Sequence, residues 1–170
     1  MIKLAECVPN FSEGRDKQKI DDIVNHISNI SNISVLDVDP GEDTNRTVVT
    51  FVGEPDAIAE AAFQGIKRAS EILDMSQHTG THPRMGATDV CPFIPISNML
   101  DEECIELSKF VGKRVGNELG IPVYLYEKSA QTTKRIKLPD VRKGEYEGLP
   151  NKLKNPKWKP DYGPTELNVK

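Results

Sequence analysis

The chain has 170 residues, 28% of them charged and 37% hydrophobic, with a formal net charge of −4 and three cysteines. That length is enough for one domain with a real core, and the absence of any run of about 18 apolar residues excludes a helix that spans a membrane. Cys7, Cys91 and Cys104 are odd in number, far apart and free of any Cys-x-x-Cys pairing, which predicts reduced thiols in a cytoplasmic protein.

The charge is uneven. Residues 1–127 carry 11 Lys+Arg against 21 Asp+Glu, whereas residues 128–160 carry 10 against 3. A basic segment of this kind suits an anionic ligand or a solvated surface. It has few aromatic residues to stack bases and the body is acidic, so a nucleic-acid partner is not expected.

In chain order, Lys3 to Val8 predicts a short strand that begins without the apolar region of a signal peptide, and a Pro-Asn-Phe-Ser-Glu-Gly loop follows. Ile20, Ile23, Val24, Ile27 and Ile30 recur at helical spacing and predict a helix from about Asp16 to Ser31. Ser34 to Asp39 reads as a strand, Pro40 to Asp43 as a turn, and the β-branched stretch Arg46 to Val52 as the second arm of a hairpin. Pro55 opens a helix to about Leu73. After a loop, Asp89 to Ile96 is extended, and its two prolines place it at a sheet edge or bulge. A helix from Asp101 to Leu119 stops at Gly120, and Ile121 to Tyr126 predicts a last strand. The order β-α-β-β-α-β with an added helix and strand is that of an α+β sandwich. It fits a ferredoxin-like domain with helices on one face of a mainly antiparallel sheet. An open α/β sandwich with another strand order is the competing architecture, and periodicity alone admits both. From Lys128 onward, frequent Gly and Pro predict an irregular or short-helical arm.

The chemistry concentrates between residues 78 and 93. His78 and His82 are four apart, but Gly80 and Pro83 oppose the helix that would put both on one face, and no Glu completes a His-Glu-x-x-His pattern. Asp89 or Cys91 would be a third metal ligand, although no spacing demands one. Cys91 near His82 admits a Cys–His acyl-transfer reading, against which stands a thiol on a strand that merely packs. No Gly-x-Ser-x-Gly elbow and no Gly-rich phosphate loop is present. The third reading is a general base: a histidine before proline is held on extended backbone, here between glycines that let a substrate approach, and its ordinary pKa near 6.5 suits proton transfer. The bland counterpart is a loop histidine bonded to a nearby carbonyl. Asp39, Asn45 and Arg46 are equally ordinary as turn residues.

Several blocks of the chain resemble one family. Glu6-Cys-Val-Pro-Asn-Phe-Ser-Glu-Gly14, Leu36-Asp-Val-Asp39, Asn45-Arg-Thr-Val48, Thr50-Phe-Val-Gly53, His82-Pro-Arg-Met-Gly86 and Asp89-Val-Cys-Pro-Phe-Ile-Pro95 are similar to the glutamate formimidoyltransferases, in particular their amino-terminal subdomain. Pro122 to Tyr126, Gly144 to Glu147 and Asp161 to Pro164 continue the match in the same order. The resemblance implies transfer of a formimino group from N-formimino-L-glutamate to N5 of tetrahydrofolate, the co-substrate, in histidine catabolism and one-carbon metabolism. It implies two ferredoxin-like subdomains with folate between them, His82 as the catalytic base, and folate contacts beginning at Gly163 and Pro164. No metal is expected. The reaction's charges add candidates of their own: Asp39 for the cationic formimino group, Arg46 and Arg84 for glutamate carboxylates, and Asn45 beside them.

On this reading residues 1–127 are the amino-terminal subdomain core, and 128–170 form a basic, Pro/Gly-rich arm leading toward a second subdomain. That second wall of the cleft is expected from another polypeptide segment or from a homo-oligomeric partner. The basic arm is a candidate attractor for the glutamate tail of folate. The alternative function is a non-catalytic folate- or protein-binding module on the same scaffold.

Overall fold

The computed structural model describes residues 2–167. Its strands are β1 (Leu4–Cys7), β2 (Asn10–Phe11), β3 (Ile33–Gly41), β4 (Arg46–Gly53), β5 (Thr88–Val90) and β6 (Phe93–Ser97). Its helices are α1 (Lys17–Ser28), α2 (Pro55–Ile72), α3 (Asp101–Leu119), α4 (Leu138–Arg142) and α5 (Glu145–Lys154). Pro9 interrupts what would be one long strand, and Pro92 interrupts another, so β1–β2 and β5–β6 each run as a broken line across the sheet. All pairings are antiparallel: β4 lies between β3 and β1–β2, and β5–β6 forms the other edge. This is the strand order of a ferredoxin-like α+β fold. The hairpin expected from Ser34 to Val52 is β3–β4, and the proline-bearing strand sits at an edge, where a missing N–H costs no ladder bond.

Alternation sorts the two faces of the sheet. Ala5, Cys7, Val49 and Phe51 are buried beneath the helices together with Ile23, Ile27, Ile58, Phe63 and Val111. The layer above them places α2 between α1 and α3. Glu6, Arg46, Val48, Thr50 and Val52 point the other way, where Ile94 and Ile96 are exposed and no helix among the described residues covers the sheet. The register sets Asp37 opposite Thr50 and Asp39 opposite Val48, so both carboxylates share this helix-free face with Arg46.

Two expectations change. The helix expected to reach Ser31 ends at Ser28, because Asn32 turns left-handed at φ 65° to start β3. More substantially, Ile121–Tyr126 is no strand. The Val123 N–H and carbonyl bond to Tyr162 and Asp161, and the Leu125 N–H donates to the Asp161 carboxylate at 2.8 Å. Its polar backbone is satisfied by residues 161–162, leaving only an isolated bridge. The segment after Lys128 folds into short helices, and α5 brings Glu145 and Glu147 back onto the 78–88 loop.

Candidate functional site

Three loops meet at one end of the sheet: residues 9–16, the β3–β4 turn, and residues 78–88. Asn45 joins all of them. Its Oδ1 accepts the Gly14 N–H at 2.9 Å, its Nδ2 donates to the Thr79 carbonyl at 2.8 Å, and its own carbonyl bonds His78 Nε2 at 3.0 Å. Asn45 is buried and left-handed at φ 47°, a conformation asparagine tolerates better than most side chains. Ser12 adds a hydroxyl bond to the Gly86 carbonyl at 2.7 Å. Gly80 has a use other than the one expected. A Cβ there would lie 2.5 Å from the Thr44 carbonyl oxygen, so the glycine admits a neighbouring loop rather than a substrate.

His78 and His82 do not form a ligand pair. The Arg84 Nε donates to His78 Nδ1 at 3.0 Å, which leaves His78 Nε2 as the donor to the Asn45 carbonyl. Both ring nitrogens of His78 are therefore structural. Among the described residues no group of three or more His, Cys, Asp or Glu is placed to hold a metal ion.

His82 is different. It is half-buried, its Nε2 lies 2.6 Å from Arg46 Nη1, and its Nδ1 is buried without a hydrogen-bond partner. Behind it the buried Asp89 carboxylate pairs with Arg142 and accepts the Met85 N–H at 2.9 Å. Burial pushes the His82 pKa below its ordinary 6.5, and the cations Arg46 and Arg142 push the same way. Asp89 and the backbone of Pro83, too poorly placed for a proper hydrogen bond, pull back more weakly. The imidazole is therefore held neutral at neutral pH.

The remaining expected residues divide. Asp39 is exposed on the same face as Arg46, one strand away, and its carboxylate has no ion-pair partner among the described residues. Arg84 is not available as expected for a substrate carboxylate. It is buried, with a bidentate contact to Glu147 (2.7 and 2.9 Å), a bond to Glu145 at 3.0 Å and another to the His78 carbonyl at 3.1 Å. Every branch of its guanidinium is engaged in clasping α5 to the His82 loop. Arg84 holds the Glu147 carboxyl at about 2, well below the usual carboxylate range. Gly163 has a packing reason for being glycine: its φ is 82°, and a Cβ would sit 2.2 Å from the Ile121 carbonyl oxygen. Pro164 follows it, half-buried. This corner packs on Gly116 of α3, and no hydrogen bond or ion pair links it to His82 among the described residues.

Sequence reasoning missed the Asp89–Arg142 pair behind His82 and the Glu145/Glu147 clasp. The second had a signal, since two of only three acids in the basic stretch stand together at 145 and 147. A separate apolar cavity of about 170 Å³ lies on the helix side, between α2, α3, residues 121–126 and α4–α5. Asp89 and Arg142 form part of its wall, and His82 does not.

Residues 4–170 match the family model of the formiminotransferase domain, N-terminal subdomain. The chain belongs to this family. Its relatives include formimidoyltransferase-cyclodeaminase of Dictyostelium discoideum, 54% identical over 167 residues that make up 98% of this chain and 31% of the relative. Glutamate formimidoyltransferase of Streptococcus pyogenes serotype M1 is 49% identical over 99% of the chain and 56% of its own length. The Thermoplasma acidophilum enzyme of the same name is 48% identical over 96% and 55%. The chain thus spans about a third of the first relative and a little over half of the other two. In the formiminotransferase family, this is the amino-terminal part.

Proposed function

We propose that the chain supplies the base-bearing half of a formiminotransferase site, one that moves the formimino group of N-formimino-L-glutamate to N5 of tetrahydrofolate. The observation that carries this reading is His82, held neutral by burial and by two arginines at an end of the sheet where the helix-free face begins. Nitrogen N5 attacks the amidine carbon, a new C–N bond forms, and His82 removes the N5 proton as the tetrahedral intermediate appears. The same proton returns to the glutamate nitrogen as its C–N bond breaks. Asp39, exposed on the same face and without an ion-pair partner among the described residues, suits the cationic formimino group, and Arg46 suits a glutamate carboxylate.

Residues 1–127 act as the amino-terminal core, and residues 128–170 lead toward a second subdomain that closes the cleft over the helix-free face. The relatives extend well beyond the matched region, which supports a second wall built from residues beyond that region. Gly163 and Pro164 remain proposed folate contacts through backbone atoms on their exposed side, and the basic arm remains a proposed attractor for the folate glutamate tail. No helix among the described residues is long and apolar enough to cross a membrane. The test is a formimino-transfer assay with tetrahydrofolate, run with the chain alone and with a polypeptide carrying a second subdomain. Turnover in either condition supports the reading. Absence of turnover in both, with folate binding retained, would favour a binding module instead.

A further inference from the structure

We propose that Arg46 is an anion-operated cap on His82: its guanidinium occupies the Nε2 lone pair, and a carboxylate ligand that takes up Arg46 uncovers the base. The inference rests on the reading of His82 as the base.

A guanidinium has donors only and keeps its charge, so the 2.6 Å contact makes His82 Nε2 the acceptor. The hydrogen of the neutral ring then sits on Nδ1, which is buried and has no partner. With one nitrogen capped and the other protonated and buried, the ring offers no lone pair to a substrate proton. Arg46 thus contradicts the role of His82 for as long as it stays where it is.

Its surroundings show what would move it. The two other arginines tied to the His82 loop each have a carboxylate: Arg84 has Glu145 and Glu147, and Arg142 has Asp89. Arg46 has none among the described residues, and its only polar side-chain contact is the His82 ring. A carboxylate binds guanidinium through two charge-assisted bonds, roughly twice as strong as bonds between neutral groups. The groups facing His82 are Arg46 from β4, Arg142 from α4 and Asp89 from β5, so an anion at Arg46 is the missing member of an otherwise compensated set. The donor's glutamate carboxylates supply that anion. Binding of the donor and exposure of the base become one event, which makes Arg46 a positioning residue that acts through His82.

The test reads His82 without turnover. Diethyl pyrocarbonate modifies unprotonated imidazole, and peptide mapping separates His82 from His26 and His78. Nitrogen-15 NMR of the ring reports the tautomer. In the wild type, His82 should be the Nδ1–H tautomer and react slowly. N-acetyl-L-glutamate at tens of millimolar, or Arg46→Met without it, should speed modification about tenfold or more, as expected for loss of a charge-assisted hydrogen bond. Arg46→Met should also move the tautomer toward Nε2–H and abolish the response to N-acetyl-L-glutamate. Equal reactivity and tautomer in wild type and Arg46→Met would overturn the proposal. So would a wild-type His82 indifferent to the dicarboxylate. Because neither readout involves formimino transfer, an enzyme that turns over normally without His82 would sink the catalytic reading while leaving the cap intact.

Discussion

Asn45 joins fold to chemistry at the scale of a single residue. Two side-chain bonds, one of them buried, and a left-handed backbone are concentrated in it, and the loops it ties together carry His82 and lead into Arg46. Asn45→Ala should cost about 2–4 kcal/mol in urea unfolding, the sum of a stranded buried Gly14 N–H, a lost bond to the Thr79 carbonyl and a strained φ. Asn45→Gly should be milder by about 1 kcal/mol, since only the backbone strain is relieved. His82 carries a pH prediction. Its folded pKa lies below 6.5, so between the two values the unfolded chain binds the proton that the folded chain refuses. The His82 contribution to stability is therefore full above 6.5 and declines as pH falls toward the folded value. The same shift should place the acid limb of kcat/KM, which reports the free enzyme, below pH 6.5. An acid limb above 6.5 would require a different base. At this scale the sequence pointed to His82 and Arg46 as residues, through motif and chemistry. It carried no sign that the two touch, because they are 36 positions apart and meet only through the three-loop junction.

At the scale of elements, most of the architecture follows from local pattern. The apolar spacing of Ile20, Ile23 and Ile27 makes α1, and the β-branched run after Arg46 makes β4. Prolines 92 and 95 put β5–β6 at the edge. The exception is instructive: Ile121–Tyr126 has strand composition, yet its partners are Asp161 and Tyr162, some 36 residues on, and composition does not specify a partner. The helix α5 is the other element whose role was hidden. Arg84 looked like a substrate ligand because arginine in a polar loop suits carboxylates, and it does bind carboxylates, but those of Glu145 and Glu147. Arg84→Ala should strand a polar pocket and release α5, at a cost of about 3 kcal/mol; faster proteolysis within residues 143–155 would report it. Lysine should not replace it, because the two-pronged contact to Glu147 needs a planar fork. The Glu147 carboxyl is held near 2, so its part of the clasp persists above pH 4.5 and fades only as pH falls from 4.5 toward 2. Glu147 is well exposed, so the contribution is modest.

At the scale of the whole molecule, the domain has one face covered by helices and one bare. The bare face carries Asp37, Asp39 and Arg46 beside exposed Ile94 and Ile96, and His82 stands at its end against Arg46. Composition indicated a core-bearing domain of ordinary size and an acidic body with a basic arm. It gave no hint that the arm would fold back onto the His82 loop, since that depends on two acids finding one buried arginine. The claim that His82 is the base of a shared site is tested most directly by turnover. Formimino transfer to tetrahydrofolate is measured for wild type and His82→Ala, each supplied with a second-subdomain polypeptide, with folate binding checked in parallel. The account predicts a loss of about 10²–10⁴-fold in His82→Ala with folate binding mostly intact. Near-normal turnover in His82→Ala would contradict it.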